Sequence, residues 1–322
     1  MTIEIFMIVG FCLAAYSIVG NDVPQTLGTF ISSNAHRPWW VLWLYTSSIL
    51  AVVLMYGWWT SGIGDASYGR LETIPFPEEG ITWLYIVPPI LLILLTRYGI
   101  PVSTTFLVLT IFSPSSLGSM LTKSMMGYAV AFIVAILVYR FVIKRISIYF
   151  SQTRHHPTPK FWIGLQWVST AFLWSQWLIQ DLANIFVYVP RVVPLGFMIF
   201  AISVFIILLG VIFYQRGGKI QNIIDTKTGV ADIRSATIID FIYAFILLVF
   251  KEWSNIPMST TWVFLGLLAG REFAMSMHLV EVNRHRTSRN VSKDAMKLLF
   301  GLAVSVLLAT TLPWLYQLIS ET

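Results

Sequence analysis

The segment from Trp39 to Thr60 carries no Asp, Glu, Lys, Arg or His, and that fact narrows the fold more than any other feature of the chain. An apolar stretch of about 20 residues is what a helix needs to cross the hydrocarbon layer of a bilayer. Trp39-Trp40 and Trp58-Trp59 stand at its two ends, as side chains with an apolar body and a polar tip do at membrane interfaces. Apolar runs recur at Met125–Ile143, Phe161–Ile179, Val192–Tyr214, Ala236–Phe250 and Leu298–Leu318. Only 11% of the residues are charged, against about 25% in a soluble domain. The expected class is an all-α integral membrane protein whose solvent is lipid.

The net charge of +6 does not point to nucleic acid. Lys and Arg fall mostly in short loops between apolar runs, where the retention of basic loops on the cytoplasmic side explains them. The single Cys12 sits inside the first run, which leaves no intrachain disulfide and no cysteine metal motif. The first run lacks a basic leader and a small-residue cleavage site, so it is expected to be an uncleaved span.

Two kinds of interruption break the apolar pattern, and each occurs twice. Asn21-Asp22-Val23-Pro24-Gln25 interrupts the region Ile3–Ile31, and Gln180-Asp181-Leu182-Ala183-Asn184 follows Phe161–Ile179. An ionisable residue within a span costs about 2.5–3.5 kcal/mol on insertion scales, so Asp22 and Asp181 are functional candidates. Pro24 is expected to break its helix and free backbone carbonyls. The second kind is Ile100-Pro101-Val102-Ser103-Thr104-Thr105, matched by Ile256-Pro257-Met258-Ser259-Thr260-Thr261. Apolar arms flank both, as in a re-entrant or broken helical hairpin. The two Asp residues lie 159 positions apart and the two motif prolines 156. Two motifs repeated in order at nearly one offset imply a duplication, with residues 1–150 as the first transmembrane repeat and 151–322 as the second.

Charge sets the expected symmetry. Three crossings and one hairpin per half, with the N-terminus outside, put the acidic loop Ser61–Gly80 outside. The loops with Arg37, Lys144–Lys160, Arg216–Arg234 and Arg271–Lys293 then lie inside, and both termini outside. An odd number of crossings inverts the second repeat, with discontinuous helices meeting at the midplane.

Proline at a helix's first turn, followed by Ser-Thr-Thr, offers hydroxyl and amide donors at a positive dipole end, which favours an anion. Single Ser or Thr residues more often cap or pack helices in membranes, but the matched pair supports a site. Asp22 and Asp181, with Asn21, Gln25, Gln180 and Asn184, offer hard oxygen ligands for a small cation or a carboxylate that carries a proton. No cluster has transition-metal spacing, and no nucleophile–base constellation is present, so no catalytic residue and no enzyme activity are expected.

The segments Gly20–Thr29 and Ile100–Thr105 resemble the signatures of the inorganic phosphate transporter (PiT) family, which carries an Asn-Asp motif and a Pro-x-Ser-Thr-Thr motif in each of two inverted halves. The stretch from Gly217-Gly218 to Val230 is similar to the loop before that family's second hairpin. The resemblance implies cation-coupled oxyanion symport by alternating access in a cell membrane. Carried over by motif position, the substrate would be bound by Asp22, Gln25, Ser103, Thr104, Thr105, Asp181, Asn184, Ser259, Thr260 and Thr261. Cation coupling would fall to Asn21, Asp22, Gln180 and Asp181, with Na+ as the one metal ion and no cofactor. Gln25 and Gln180 stand where the family has Asn, Phe106 and Trp262 where it has His, Val19 for its first Gly, and Pro24 for Ala.

Phosphate is the expected anion and sulfate its natural competitor. A membrane sensor or scaffold that keeps the fold without transporting is the reading from a different class. A second copy of the chain is a candidate partner. Arg97 and Lys251 lie near the hairpin tips and could supply positive charge, with Glu252 beside Lys251 as a neutralising neighbour. Asp240 lies within an apolar arm, where the ordinary expectation is a hydroxyl partner from another helix. His155-His156 are expected on a solvated inner surface, and Arg271-Glu272 and His278 at the inner end of the second hairpin.

Overall fold

The computed structural model describes residues 2–60, 64–98, 102–143, 159–218, 221, 233–276, 296, 299–304, 306–308, 310–312 and 314. Every regular element among them is helical. Helix α1 spans Thr2–Ser33 and α2 Trp39–Thr60; α3, Val87–Arg97, follows a tight turn at Trp83–Ile86. Then come α4 (Thr104–Phe112) and α5 (Leu117–Val138), which widens into a π turn at Tyr139–Ile143. The second series is α6 (Lys160–Asp181), the short α7 (Ala183–Phe186), α8 (Leu195–Tyr214), α9 (Ile233–Trp253) and α10 (Thr260–Ser276). A last apolar helix, α11, runs over Leu299–Leu312 and is described in part.

Five described helices are long and apolar enough to cross a membrane: Ile5–Ser33, Trp39–Thr60, Pro114–Phe141, Leu195–Tyr214 and Ile233–Trp253. The outward faces fit that role, because Val52, Tyr56, Trp59, Val168 and Ile207 are all strongly exposed. So much open apolar surface is unfavourable in water and comfortable in lipid. The chain is a multi-pass, all-α membrane protein. Helix α6, expected as a crossing, is not one of the five. Gln166, Ser169, Thr170 and Gln176 dilute its apolar run, and all four are buried against other helices.

The order of elements repeats. Helices α1, α2, the pair α3–α4 and α5 are followed by α6–α7, α8, the pair α9–α10 and α11. Packing follows the same exchange. Helix α3 lies against α1 as α9 lies against α6, and α1 meets α8 as α6 meets α2. Helix α5 runs along α10; in the other half, Gly301 and Leu312 of α11 meet Val102 and Ile111 around α4.

Two expectations about breaks change. Pro24 was expected to interrupt α1, yet the helix continues through it for 32 residues. Proline removes only one backbone donor, and the Gln25 amide nitrogen donates to the Asn21 carbonyl at 2.8 Å, so the turn stays tied. The interruption lies in the other copy, at Leu182 between α6 and α7. It is shallow, since Leu182 keeps helical angles (φ −59°, ψ −29°). Helix α5 also begins at Leu117, before the apolar run from Met125, and so includes Lys123.

Lys123 is buried and donates to the carbonyls of Ser254 and Ile256 at 2.6 and 2.7 Å, tying α5 to the α9–α10 connection. Lys123→Met would leave both carbonyls without this donor. A buried group left unsatisfied costs about 1–3 kcal/mol, so a net loss of about 2 kcal/mol is expected after the ammonium's own burial penalty is relieved. Unfolding in detergent micelles measures it, and an unchanged midpoint would sink the assignment.

Candidate functional site

The duplicated motifs, far apart in sequence, meet in the interior. Asp22 accepts from Asn21 Nδ2 at 2.6 Å and from Thr104 Oγ1 at 2.9 Å. Thr104 Oγ1 in turn accepts from Asn184 Nδ2 at 3.2 Å. Asn184 also donates to Thr105 Oγ1 at 3.3 Å and to Asp181 Oδ1 at 2.8 Å, and Thr105 Oγ1 lies 3.5 Å from that same carboxylate oxygen. A continuous hydrogen-bonded path therefore runs from Asp22 through the Ser-Thr-Thr motif of the first half to Asp181 in the second. The two Asp residues interact electrostatically. Both are buried, and neither forms an ion pair among the described residues.

The two Ser-Thr-Thr motifs also clasp each other reciprocally. Thr105 Oγ1 donates to the Met258 carbonyl at 3.2 Å, and Thr261 Oγ1 to the Val102 carbonyl at 3.4 Å. The last Thr of each motif thus reaches the residue before Ser in the other. Phe106 and Trp262, the residues after each motif, meet edge to face with ring centroids 5.5 Å apart. Apolar rings therefore meet where the resembled family would place histidines.

The site residues have different local duties. Ser103 Oγ accepts from Phe106 N at 3.2 Å, and Ser259 Oγ from Trp262 N at 3.3 Å, so both serines cap their helices. Thr260 stands beside Asp181, and its carbonyl accepts from Tyr243. Asn21 Nδ2 additionally reaches the Val102 carbonyl at 3.0 Å, and Gln180 Nε2 the Leu247 carbonyl at 3.0 Å. Ile100 and Pro101 lie outside the described residues.

Among the motif residues, Gln25 Oε1, Gln180 Oε1, Asp181 Oδ2 and Asn184 Oδ1 are buried and accept no hydrogen bond among the described residues. Buried polar atoms are almost always satisfied, so a group of unsatisfied acceptors marks a place for a donor or a cation. All four are hard oxygens of the kind that small alkali and alkaline-earth cations take.

The acidic loop between α2 and α3 reaches the same region. Asp65 orders it by accepting from Ser67 N and Gly69 N, each at 2.7 Å. Gly69 turns with φ +77°, close to the Asn255 amide at the α9–α10 tip. Val193 N donates to the Gly64 carbonyl at 3.2 Å, and Arg191 donates to the Ile74 carbonyl at 2.8 Å. The loop is thus fastened to the second half, and its one basic residue, Arg70, is only 1% exposed. Burial lowers the Arg70 pKa to about 10, while the charges of Asp181 and Glu252 hold it up, so it stays protonated at neutral pH. No motif of the sequence singles out Arg70, which lies within the acidic loop Ser61–Gly80. The available signal was that it is the sole cation there.

Other expectations resolve individually. Lys251 forms an exposed ion pair with Glu252 at 2.6 Å, so Glu252 is its neutralising neighbour. Arg97 lines a cavity of about 180 Å³ with Ser17, Gly20, Thr96, Gln215 and Gly218. Thr96 Oγ1, in that cavity, lies 3.5 Å from Asn21 Oδ1. Asp240 faces hydroxyls, as expected, accepting from Thr29 and, at 2.7 Å, from Thr170. His155, His156 and His278 lie outside the described residues.

The sequence matches no protein-family model and no curated protein. Its fold is similar to that of a solved structure described as "The sodium-dependent phosphate transporter", with a TM-score of 0.62 and 17% identity, over 99% of this chain and 100% of that one.

Proposed function

We propose that the chain is a secondary active transporter of an inorganic oxyanion, phosphate in the first instance, moved together with Na+ or H+. The observation that carries this reading is the buried path from Asp22 through Thr104 and Asn184 to Asp181, on which Asp181 Oδ2 and Asn184 Oδ1 have no donor among the described residues. Hydroxyl and amide groups can donate to an oxyanion, and the carboxylates and amide oxygens can ligate a small cation. Each charge offsets the cost of burying the other, which is a physical basis for obligatory cotransport. Asn21, Asp22, Gln180 and Asp181 are the proposed cation residues, joined by the free oxygens of Gln25 and Asn184. Ser103, Thr104, Thr105, Ser259, Thr260 and Thr261 are the proposed anion residues, with Thr104, Thr105 and Thr261 exchanging their bonds to Asp22, Met258 and Val102 for the anion. A fold shared with a protein named as a sodium-dependent phosphate transporter supports the same reading.

The matched element order and the reciprocal Thr contacts support two repeats of inverted topology that rock against each other in alternating access. The cavity beside Arg97 reaches Gly20 and Thr96, next to Asn21, and is the proposed approach to the site. The charge of the loops supports a cell-membrane orientation with basic loops cytoplasmic and both termini outside.

The deciding experiment is uptake of labelled phosphate and of labelled sulfate into proteoliposomes, with and without a sodium gradient and with and without a proton gradient. Uptake of phosphate under one of the gradients is expected. Preference for sulfate would change the substrate, and no uptake of either would favour the sensor or scaffold reading. Thr104→Val, which removes the hydroxyl between Asp22 and Asn184, is expected to slow uptake by about 10- to 100-fold, corresponding to about 1.5–3 kcal/mol for a hydrogen bond to a charged group. Uptake within twofold of the wild type would remove Thr104 from the site.

A further inference from the structure

The buried arginine of the loop between α2 and α3 has no structural employment. Arg70 is 1% exposed, and Nε, Nη1 and Nη2 all lack a hydrogen-bond acceptor among the described residues. A guanidinium has five N–H donors arranged to grip planar or tetrahedral oxyanions, and it is almost never buried without them in use. Arg191, nearby in the same assembly, shows the contrast. Its guanidinium donates to the carbonyls of Ile74 and Val189 at 2.8 and 3.0 Å, so that arginine is a structural fastener. Arg70 fastens nothing with its side chain.

Its surroundings explain what it could hold. Arg70 interacts electrostatically with Asp181 at the motif cluster and with Lys123. Lys123 is a second buried cation, satisfied by two carbonyls and by no carboxylate hydrogen bond. The loop that carries Arg70 is held in register by Asp65, by the turn at Gly69 and by Arg191, so the guanidinium is delivered by a fixed scaffold. A site containing two carboxylates repels an oxyanion unless positive charge is supplied. A cotransported cation supplies some of it, and the buried arginine whose donor nitrogens are all free among the described residues follows Gly69, which lies close to Asn255 just before the second Ser-Thr-Thr motif, within electrostatic range of Asp181.

We propose that Arg70 is an anion-binding residue of this site, giving its guanidinium donors to the oxyanion as it arrives beneath the α2–α3 loop. The inference rests on the transport reading and adds to it a residue that lies in neither duplicated motif. It also makes the loop part of the binding apparatus, since the anion would bridge the loop to the Thr-lined cluster.

The test uses the purified full chain in detergent with Na+ present, titrated with inorganic phosphate and separately with sulfate, reading both affinity and melting temperature. Wild type is expected to melt higher with phosphate, because a ligand that binds only the folded state stabilises it. Arg70→Met is expected to melt at the same temperature as wild type or higher in anion-free buffer, because an unpaired buried charge has been removed. It should also lose affinity by about 10- to 100-fold and with it the phosphate-dependent rise. Arg70→Lys keeps the charge but not the fork, and should fall between the two. If Arg70→Met fails to fold, the comparison of Arg70→Lys with wild type decides. Wild-type affinity in Arg70→Lys together with lower anion-free stability would make Arg70 a structural residue and overturn the proposal. Unchanged affinity in Arg70→Met overturns it directly while leaving the transport reading intact. Absence of any anion response and of uptake in the wild type overturns the transport reading, and the role of Arg70 falls with it.

Discussion

Asp181→Asn and Asp22→Asn are each expected to lower cation-dependent oxyanion uptake by about 100-fold or more, while the proteins insert and fold normally. The two substitutions keep side-chain volume, so packing is preserved. What changes is charge. Asp181 offers one oxygen to Asn184 and Thr105 and leaves the other, Oδ2, without a protein donor. Replacing that oxygen by an amide nitrogen turns a cation ligand into a group that repels one. Removing one partner of a buried charge–charge contact, here the bound cation's carboxylate, costs about 3–5 kcal/mol, which is 100-fold or more. Asp22 has both oxygens engaged, by Asn21 and Thr104, so Asp22→Asn also disturbs the path toward Asn184. Neither carboxylate has an ion-pair partner among the described residues, so neutralising one should leave melting in the absence of substrate unchanged or raised. Uptake is measured in proteoliposomes with and without the cation gradient, alongside melting of the same preparations. Normal uptake in both variants would remove the pentads from the site, whereas lost uptake with a collapsed fold would make them structural.

The centre of this site was legible because duplication repeats its chemistry. One Asp in an apolar run is ambiguous, but Asp22 and Asp181 at matching places predict a meeting, and Thr104 and Asn184 are where they meet. The local backbone was less legible. Proline's effect depends on whether neighbours recover the lost bond, and the Gln25 amide supplies a substitute tie on the same turn. Helix α6 falls outside the five long apolar helices for a related reason. Its polar residues face other helices, and apolar content alone cannot say which face a residue takes. Arg70 and Lys123 were missed because no short motif announces them. Arg70 becomes notable only when an acidic loop folds back onto the second half, and Lys123 only when α5 starts earlier than its apolar run. Lys251, conspicuous in sequence, is neutralised at its own surface by Glu252. Local sequence pattern identified the groups that repeat; the single ones needed the tertiary arrangement.

Gly266→Ala is expected to impair transport nearly as severely, by a route that touches no site residue. Helix α10 lies so close to α5 that a methyl group added at Gly266 would stand 2.5 Å from the Tyr128 carbonyl oxygen and 3.1 Å from Ala131 Cβ. At Gly270, one turn on, an added Cβ would press on the Phe132 carbonyl and come within 2.9 Å of Ala135 Cβ. Small residues at such positions are how membrane helices bring their backbones together. The obstacle is backbone, which cannot rotate away, so α10 must shift by roughly 1 Å to restore ordinary contact. That helix begins with Ser259-Thr260-Thr261, whose Thr261 reaches the Val102 carbonyl at 3.4 Å, while Thr105 reaches Met258 at 3.2 Å. Both bonds are already near their geometric limit and would be lost. Overpacking costs about 1–3 kcal/mol of stability, and misplacing a binding group by about 1 Å lowers turnover on the order of 100-fold. The expected result is a protein that still folds, melts several degrees lower and transports slowly. Gly118→Ala is the control, since it lies on α5 itself and an added Cβ there meets nothing within 4 Å. If Gly266→Ala transports as well as Gly118→Ala, the close approach of α5 and α10 does not set the position of the second Ser-Thr-Thr motif.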